Sequence, residues 1–273
     1  MNKKIVVVLC SAVVFFAAAV LGFGISMSVN EYTVTGTIYS DEAKENVAKA
    51  QESINERLGT NLLFVSEQEF YDVFSAYPYL SVLSVEKKFP DKVIVTIEEK
   101  MEVYAVSCAD GTYCMADRDG VILAISSVNQ NNLDERQNVL LEGFSVASPV
   151  LGGKLGETVA VTFAGKENNG FFTRCIRVLD AFHDAVGGLR ACAEKVVCVS
   201  PTLNEKDENV TVLSYDGVSI SIDHLSYYGE EKALAAARLF DSLSDTNKLF
   251  GTINAVDDSS GESYFRCTYT ARK

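Results

Sequence analysis

The chain has 273 residues and a formal net charge of −13. The length suits roughly two domains, and a hydrophobic share of 48% can fill packed cores, which excludes wholesale disorder. The 37 Asp and Glu outnumber the 24 Lys and Arg, which argues against nucleic acid and against electrostatic binding to anionic lipid or cell-wall polyanions. With two His, the chain has few imidazole groups for metal binding or proton transfer.

An uncharged apolar stretch runs from Ile5 to Ile25 near the N-terminus. Its 21 residues are enough to cross a hydrocarbon core of roughly 30 Å as a helix. Lys3-Lys4 precede the stretch, and the next basic residue is Lys44. The positive-inside rule therefore predicts a cytoplasmic N-terminus, with the rest of the chain outside the membrane.

The alternative interpretation of this stretch is a cleaved signal peptide. An apolar signal-peptide core usually spans about 7–15 residues, which is shorter than this stretch. Ala17-Ala18-Ala19 nevertheless provides small residues of the kind found at a cleavage site. We predict an uncleaved transmembrane helix over residues 5–29, behind a cytoplasmic tail of residues 1–4.

The cysteines bear on the redox compartment. Cys10 lies in the predicted span, and the other six are Cys108, Cys114, Cys175, Cys192, Cys198 and Cys267. Their spacing fits no zinc site, so the alternatives are disulfides in an oxidising compartment or buried free thiols. If a disulfide forms, Cys108 and Cys114 are best placed, across a turn at Asp110-Gly111. A three-residue loop there brings the two side chains opposite each other, whereas a two-residue loop separates them.

The region after the predicted span is an alternation of strands and helices. Residues 32–39 have the composition of a strand, with an interruption at Gly36. Ser40 is a candidate N-cap for a helix, whose apolar stripe consists of Ala43, Val47, Ala50, Ile54 and Leu58. Gly59 ends this first helix.

A second helix and two strands complete the first domain. Ser66 to Glu69 form a capping box, followed by apolar residues at helical spacing, and Pro78 ends the helix. Strands are predicted over residues 80–85 and 93–98, on either side of a turn that contains Pro90. The resulting β-α-α-β-β order needs one sheet face to bury its two helices.

Five short motifs follow one another along this region: Val34-Thr35-Gly36, Gly59-Thr60-Asn61-Leu62-Leu63, Tyr77-Pro78-Tyr79-Leu80, Phe89-Pro90-Asp91 and Ile97-Glu98-Glu99-Lys100. In sequence and in order they resemble motifs of the FtsQ/DivIB family of bacterial cell-division proteins. Further along, Ala116 to Val121 and Glu231 to Leu234 resemble a hairpin and the start of a helix of that family. Leu140 to Gly143 resembles its Leu-Pro-x-x-Gly element, with Glu where Pro or a neighbour is usual. The resemblance is strongest before residue 100.

The resemblance implies an α+β protein with a single N-terminal transmembrane helix. A POTRA domain would cover residues 30–100, and a β-rich α+β domain would cover residues 101–273. Its role would be that of a non-enzymatic scaffold at the division septum, without a cofactor or a small-molecule substrate. The implied partners are division proteins of the FtsL and DivIC/FtsB type and, indirectly, a septal peptidoglycan synthase. The tail of residues 1–4 is shorter than usual in the family, which argues against a cytoplasmic contact.

The second domain is predicted to be rich in strands. Asp-Gly turns at Asp110-Gly111 and Asp119-Gly120 predict a three-stranded meander. Beyond it we predict a short strand or turn over residues 139–143. Two helices and five strands then follow, centred on residues 172–186, 195–200, 210–213, 218–222, 233–243, 252–256 and 264–269.

Catalytic motifs are scarce. His183 lies on the apolar stripe of a predicted helix and His224 lies at a strand end, so we interpret them as a core residue and a turn residue. Neither G-x-S-x-G nor H-E-x-x-H occurs. A membrane-anchored or secreted hydrolase, with its site in the C-terminal domain, is the alternative function.

The last predicted strand is the candidate interaction site. Because it comes last in the chain, we expect one of its edges to be free to pair with a strand of a partner. Adjacent residues of a strand point to opposite faces, so Tyr264 or Phe265 should be exposed unless the last helix covers that face. The predicted partner-binding residues are Tyr264, Phe265, Arg266, Thr268 and Tyr269.

Overall fold

A computed structural model describes residues 27–133, 136–258 and 264–271 of the chain. The predicted span over residues 5–29 lies outside these ranges, apart from its last three residues. Among the residues described, no helix combines the length and the apolar character that crossing a membrane requires. The chain divides after Lys100 into two compact units, and each has its own hydrophobic core.

The first unit has the predicted β-α-α-β-β order. Its elements are β1 (Glu31–Thr37), α1 (Asp41–Asn55), α2 (Glu67–Ser75), β2 (Leu80–Lys88) and β3 (Lys92–Glu99). The central strand, β3, is parallel to β1 and antiparallel to β2. Strand β1 continues through Gly36, so the interruption predicted there was wrong.

The core of the first unit lies between one face of the sheet and the two helices. Val93, Val95 and Ile97 alternate along β3 and are buried, and Phe70 and Phe74 of α2 belong to the same core. This alternation matches the period of two that a half-buried strand requires.

The two helices of this unit begin differently. Ser40 caps α1 as predicted, because its hydroxyl accepts a hydrogen bond from the Ala43 amide at 3.1 Å. The capping box predicted at Ser66 was wrong, since the Ser66 side chain makes no capping hydrogen bond. The apolar spacing of α2 was therefore the stronger signal for this helix.

The second unit is built around one large mixed sheet, of which eleven strands fall in the described residues. The strands are β4 (Tyr104–Cys108), β5 (Tyr113–Ala116), β6 (Ile122–Ser126), β7 (Val139–Val146), β8 (Val161–Phe163), β9 (Lys166–Glu167), β10 (Ala193–Val199), β11 (Asn209–Ser214), β12 (Val218–Asp223), β13 (Gly251–Asp257) and β14 (Phe265–Thr270). The helices are α3 (Asn169–Val186), α4 (Leu189–Cys192), α5 (Gly229–Ser242) and α6 (Asp245–Lys248). The main path of the sheet is β14-β13-β12-β11-β10-β7-β4-β5-β6, with β8 and β9 attached beside β7.

Strand β7 is the largest departure from the sequence prediction, which gave only a short strand or turn at this place. The strand has eight residues and pairs with β4, β8 and β10. At Gly143 the backbone has a φ of 109°, and a Cβ there would lie 2.7 Å from the carbonyl oxygen of Cys198. Glycine therefore permits the close approach of two strands and the bend at which β7 exchanges β10 for β8 as its neighbour.

The core of the second unit lies between the sheet and helices α3 and α5. Alternate residues of β12, such as Ile220 and Ile222, are buried in one cluster with Phe182 of α3 and Phe240 of α5. The residues between them are polar and half-buried. This sheet region has an apolar face toward the helices and a polar face away from them.

Candidate partner-binding site

Strand β14 lies at the end of the sheet. It is antiparallel to β13, in a register that runs from Thr252 opposite Thr270 to Asp257 opposite Phe265. Among the described residues, no strand pairs with its other edge. The backbone of β14 is therefore available for pairing with a strand from another molecule.

The side chains of β14 alternate between two environments. Phe265, Cys267 and Tyr269 are half-buried, and the last two pack against the core. Arg266 and Thr268 are exposed, which places them on the opposite face of the strand. Of the predicted partner-binding residues on this strand, Arg266 and Thr268 thus remain free for contact, while Phe265 and Tyr269 turn inward.

Tyr269 fastens β14 to the rest of the unit. Its hydroxyl lies 2.9 Å from the carbonyl oxygen of Phe250 and 3.0 Å from that of Asn247, and it can donate a hydrogen bond to either. The ring covers Gly251, where an added Cβ would lie 2.5 Å from a ring carbon. Because Gly251 also has a φ of 148°, another residue there would be strained.

Tyr264 extends the edge strand into a group of aromatic rings. Its side chain is 65% exposed, and its ring stacks on Tyr228 at 4.8 Å between centroids. Tyr228 meets Tyr227 edge-on at 4.7 Å, and Tyr227 stacks on His224 at 5.4 Å. Below, "the aromatic cluster" means His224, Tyr227, Tyr228, Tyr264 and Phe265.

Two residues of the aromatic cluster have backbone conformations that residues other than glycine seldom adopt. His224 has a φ of 45° and Tyr228 a φ of 51°, both in the left-handed region that favours glycine. These conformations flank the turn that leads from β12 into α5. Strained residues of this kind are often found at functional sites, which makes the cluster part of the candidate site.

A buried charge supports the turn. Lys232 on α5 has no exposed side-chain surface, and its Nζ lies 2.5 Å from Asp257 Oδ1 and 3.3 Å from Asp223 Oδ1. It also donates to the carbonyl oxygen of Asp223 at 2.9 Å. The other oxygen of Asp257 lies 2.8 Å from Nδ1 of His224. A buried ammonium requires such partners, and these groups connect α5 to the ends of β12 and β13.

Opposing effects act on the pKa of Asp257. Burial alone raises it, but the hydrogen bonds from Lys232 and His224 outweigh burial and lower the pKa overall. The carboxylate is therefore ionised at neutral pH, as an acceptor for two cationic or polar donors should be. Sequence reasoning missed this ion cluster, although a lysine beside Ala233, Ala236 and Ala237 on an apolar helix face was a signal for it.

His183, interpreted from the sequence as a core residue, hydrogen-bonds to the backbone in the structure. His183, near the end of α3, is half-buried, and its Nδ1 accepts a hydrogen bond from the amide of Leu189 at 3.2 Å. Burial lowers the pKa of His183, and nearby Arg118 lowers it further. Within the described residues, no group of His, Cys, Asp and Glu is placed to hold a metal ion.

Residues 34–100 match the family model described as the POTRA domain, FtsQ-type. The first unit is an FtsQ-type POTRA domain. This match supports the identification with the FtsQ/DivIB family that the sequence motifs indicated. It also suggests a division-associated scaffold, a role that is generally non-enzymatic. No curated protein matches the chain.

The POTRA domain also explains one of its sequence motifs. Glu99, at the end of β3, accepts hydrogen bonds from the amides of Tyr39 at 2.6 Å and Ser40 at 3.0 Å. The hydroxyl of Ser40 donates to the same carboxylate at 2.5 Å. Glu99 thus fixes the start of α1 to the central strand, which gives the Glu-Glu-Lys motif a structural function.

Proposed function

We propose that the chain is a non-enzymatic, single-pass scaffold of the bacterial division machinery. The FtsQ-type POTRA match supports the division role, and the 21-residue uncharged segment over Ile5 to Ile25 supports the anchor. In this proposal the tail of residues 1–4 is cytoplasmic. The POTRA domain over residues 30–100 and the β-rich domain over residues 101–273 work outside the membrane, at the septum.

The free edge of β14 is the observation that carries the proposal. A partner segment in extended conformation would add a strand there, with backbone hydrogen bonds as the source of affinity. Arg266, Thr268 and the exposed ring of Tyr264 would contact side chains of that segment. Phe265 and Tyr269 would hold β14 in place from the inner face.

The proposed partners follow from the resemblance to the FtsQ/DivIB family. They are small division proteins of the FtsL and DivIC/FtsB type, which would connect the scaffold to a septal peptidoglycan synthase. The net charge of −13 favours a partner segment that carries basic residues. The scaffold would act by positioning these proteins, and no bond is made or broken on the chain.

Two substitutions at the start of β14 test this interface. Because Tyr264 is largely exposed, Tyr264→Glu should abolish co-purification of the division partners from membranes and leave the stability of the chain nearly unchanged. Phe265→Glu places a charge on the half-buried side of the strand and should destabilise the second unit. Tyr215→Glu, at a 50% exposed tyrosine away from β14, is the matched control and should bind normally.

The outcome for the two tyrosines decides the proposal. Loss of partners in Tyr264→Glu alone supports binding at β14. Normal binding by folded Tyr264→Glu and Phe265→Glu variants would place the interface elsewhere. Equal loss in Tyr264→Glu and Tyr215→Glu would indicate a general effect of added negative charge.

A further inference from the structure

Exposed apolar side chains are concentrated at one end of the POTRA domain. Phe64 is 80% exposed, Leu63 57%, Leu58 47% and Phe89 62%. We call these four residues the apolar tip. They come from two separate turns, one after α1 and the other between β2 and β3.

Backbone hydrogen bonds fix the apolar tip beside the start of the described chain. The amide of Leu62 donates to the carbonyl oxygen of Met27, and the amide of Gly59 to that of Val29, each at 2.8 Å. The amide of Asn30 donates to the carbonyl oxygen of Asp91 at 2.9 Å. Both turns are thereby tied to residues 27–30.

The apolar segment that we propose as the membrane anchor ends close to this point. Only Ser26 separates Ile25 from Met27, and two residues span at most about 7 Å. The interfacial layer of a bilayer is roughly 5–8 Å thick on each side of the hydrocarbon core. Side chains next to Met27 are therefore within reach of that layer.

The composition of the apolar tip suits a lipid interface. Residues 58–66 contain no charged side chain, and neither do residues 5–30. Segments that lie in the interface bury Phe and Leu side chains at the boundary between headgroups and acyl chains, and Phe64 is the most exposed large hydrophobic side chain among the residues described. Phe89 follows Lys87 and Lys88; the ammonium of Lys88 pairs with Glu86 at 2.7 Å, and the long side chain of Lys87 can reach headgroup phosphates while an adjacent ring is buried.

We infer that the apolar tip inserts into the outer lipid interface and sets the orientation of the POTRA domain on the membrane. The contact rests on the proposed anchor, and apolar burial drives it. The acidic character of the whole chain does not oppose it, because the tip itself carries no negative charge. The occupant is the lipid bilayer beside the anchor.

Tryptophan fluorescence tests the contact directly, since the chain has no tryptophan of its own. The full chain with Phe64→Trp is reconstituted into phosphatidylcholine vesicles, with or without lipids brominated near the headgroup end of the acyl chains. The matched control is Tyr39→Trp. Tyr39 is 60% exposed and lies at the opposite end of β3, where its amide meets Glu99. The eight residues of β3 separate the two ends by roughly 23 Å.

The expected result is a blue-shifted emission for Phe64→Trp that brominated lipid quenches at least twofold, and water-like, unquenched emission for Tyr39→Trp. Equal quenching of the two variants would overturn the inference. A blue-shifted but unquenched Phe64→Trp would also overturn it, because the tip would then contact protein instead of lipid. Flotation of the vesicles separates the two hypotheses: a chain that does not float refutes the anchor together with the inference, whereas a floating chain without quenching refutes the inference alone.

Discussion

Lys232 organises an ion cluster whose other members cannot be identified from local sequence patterns. In the sequence it stands at the start of a helix, where a lysine is usually solvated. In the structure its side chain is fully buried against Asp223 and Asp257. The partners are 9 and 25 residues away in the chain, so only the tertiary fold brings the three together.

The ion cluster predicts a pH dependence of stability. The folded-state pKa of Asp257 is lowered, so its stabilisation is complete above the ordinary carboxyl pKa of about 3.9 and is lost as pH falls through the folded value. At pH 7, Asp257→Asn should cost about 1 to 2 kcal/mol in free energy of unfolding, since the side chain is partly exposed. The cost should shrink progressively below about pH 4.

Urea unfolding of the second unit at several pH values measures this dependence. Asp241→Asn, an exposed carboxylate on α5, is the control and should change the free energy of unfolding little at any pH. A cost for Asp257→Asn that stays the same from pH 7 to pH 3 would contradict the assigned role of the carboxylate.

The paired cysteines allow a second prediction at the residue scale. Cys108 and Cys114 are buried, with their sulfur atoms 3.1 Å apart. The loop between their strands has three residues and places both side chains on the same face. A diazene such as diamide should take two electrons and two protons from these thiols and leave a disulfide between them. Because burial raises the pKa of Cys114, the thiolate is scarce at pH 7 and the reaction should accelerate as pH rises.

Peptide mapping by mass spectrometry follows this oxidation. The peptide that spans both residues should lose two hydrogens, and Cys108→Ser should leave Cys114 reduced. Cys175 and Cys198, which contact each other in the core, are the competing pair. Their oxidation ahead of Cys108 and Cys114 would count against the prediction.

At the scale of elements, local signals in the sequence were reliable where a single element shows them. The helical spacing that begins at Phe70, the N-cap at Ser40 and the Asp-Gly turns all correspond to elements of the structure. Strand β7 was predicted only as a short strand or turn over residues 139–143, and the short strands β8 and β9 were missed. The pairing of β7 with β4, β8 and β10 depends on strands distant in the chain and on a bend at Gly143, neither of which appears in a local hydrophobic period.

The same distinction applies to the candidate site. The alternation of β14 was predictable, and its position at the sheet edge was expected from its place in the chain. Which face would be exposed was not predictable, since that depends on where α5 and α6 pack. The left-handed conformations of His224 and Tyr228 were also beyond sequence reasoning, because only a few per cent of non-glycine residues adopt a positive φ.

The contact between β3 and the start of α1 is testable at the element scale. Glu99→Gln removes one of the two carboxylate oxygens that accept hydrogen bonds from Tyr39 and Ser40. A donor left unsatisfied should lower the free energy of unfolding of the POTRA domain by about 1 to 3 kcal/mol. Glu98→Gln, at the exposed neighbouring position, is the control and should change this free energy by less than about 0.5 kcal/mol. Equal effects of the two substitutions would refute the role given to Glu99.

At the scale of the whole molecule, the two units bury separate sets of residues. The POTRA core draws on residues between Val29 and Ile97, and the core of the second unit on residues between Val103 and Tyr269. Val29 belongs to the POTRA core although it falls at the end of the span predicted over residues 5–29. The family resemblance indicated the order of the parts, but the packing around Val29 required the structure.

Separate cores predict separate unfolding transitions in the full chain. Phe74→Ala removes a fully buried ring from the POTRA core and should lower the stability of that domain by about 3 to 5 kcal/mol. Phe171→Ala should do the same for the second unit, where the ring packs 5.0 Å from Phe144.

Hydrogen exchange in increasing urea, read by mass spectrometry, reports each unit through its own peptides. Each substitution should shift the midpoint of its own unit and leave that of the other unchanged, because sites without shared contacts act additively. If either substitution moved both midpoints together, the two units would unfold as one cooperative structure, which would contradict the separation of their cores.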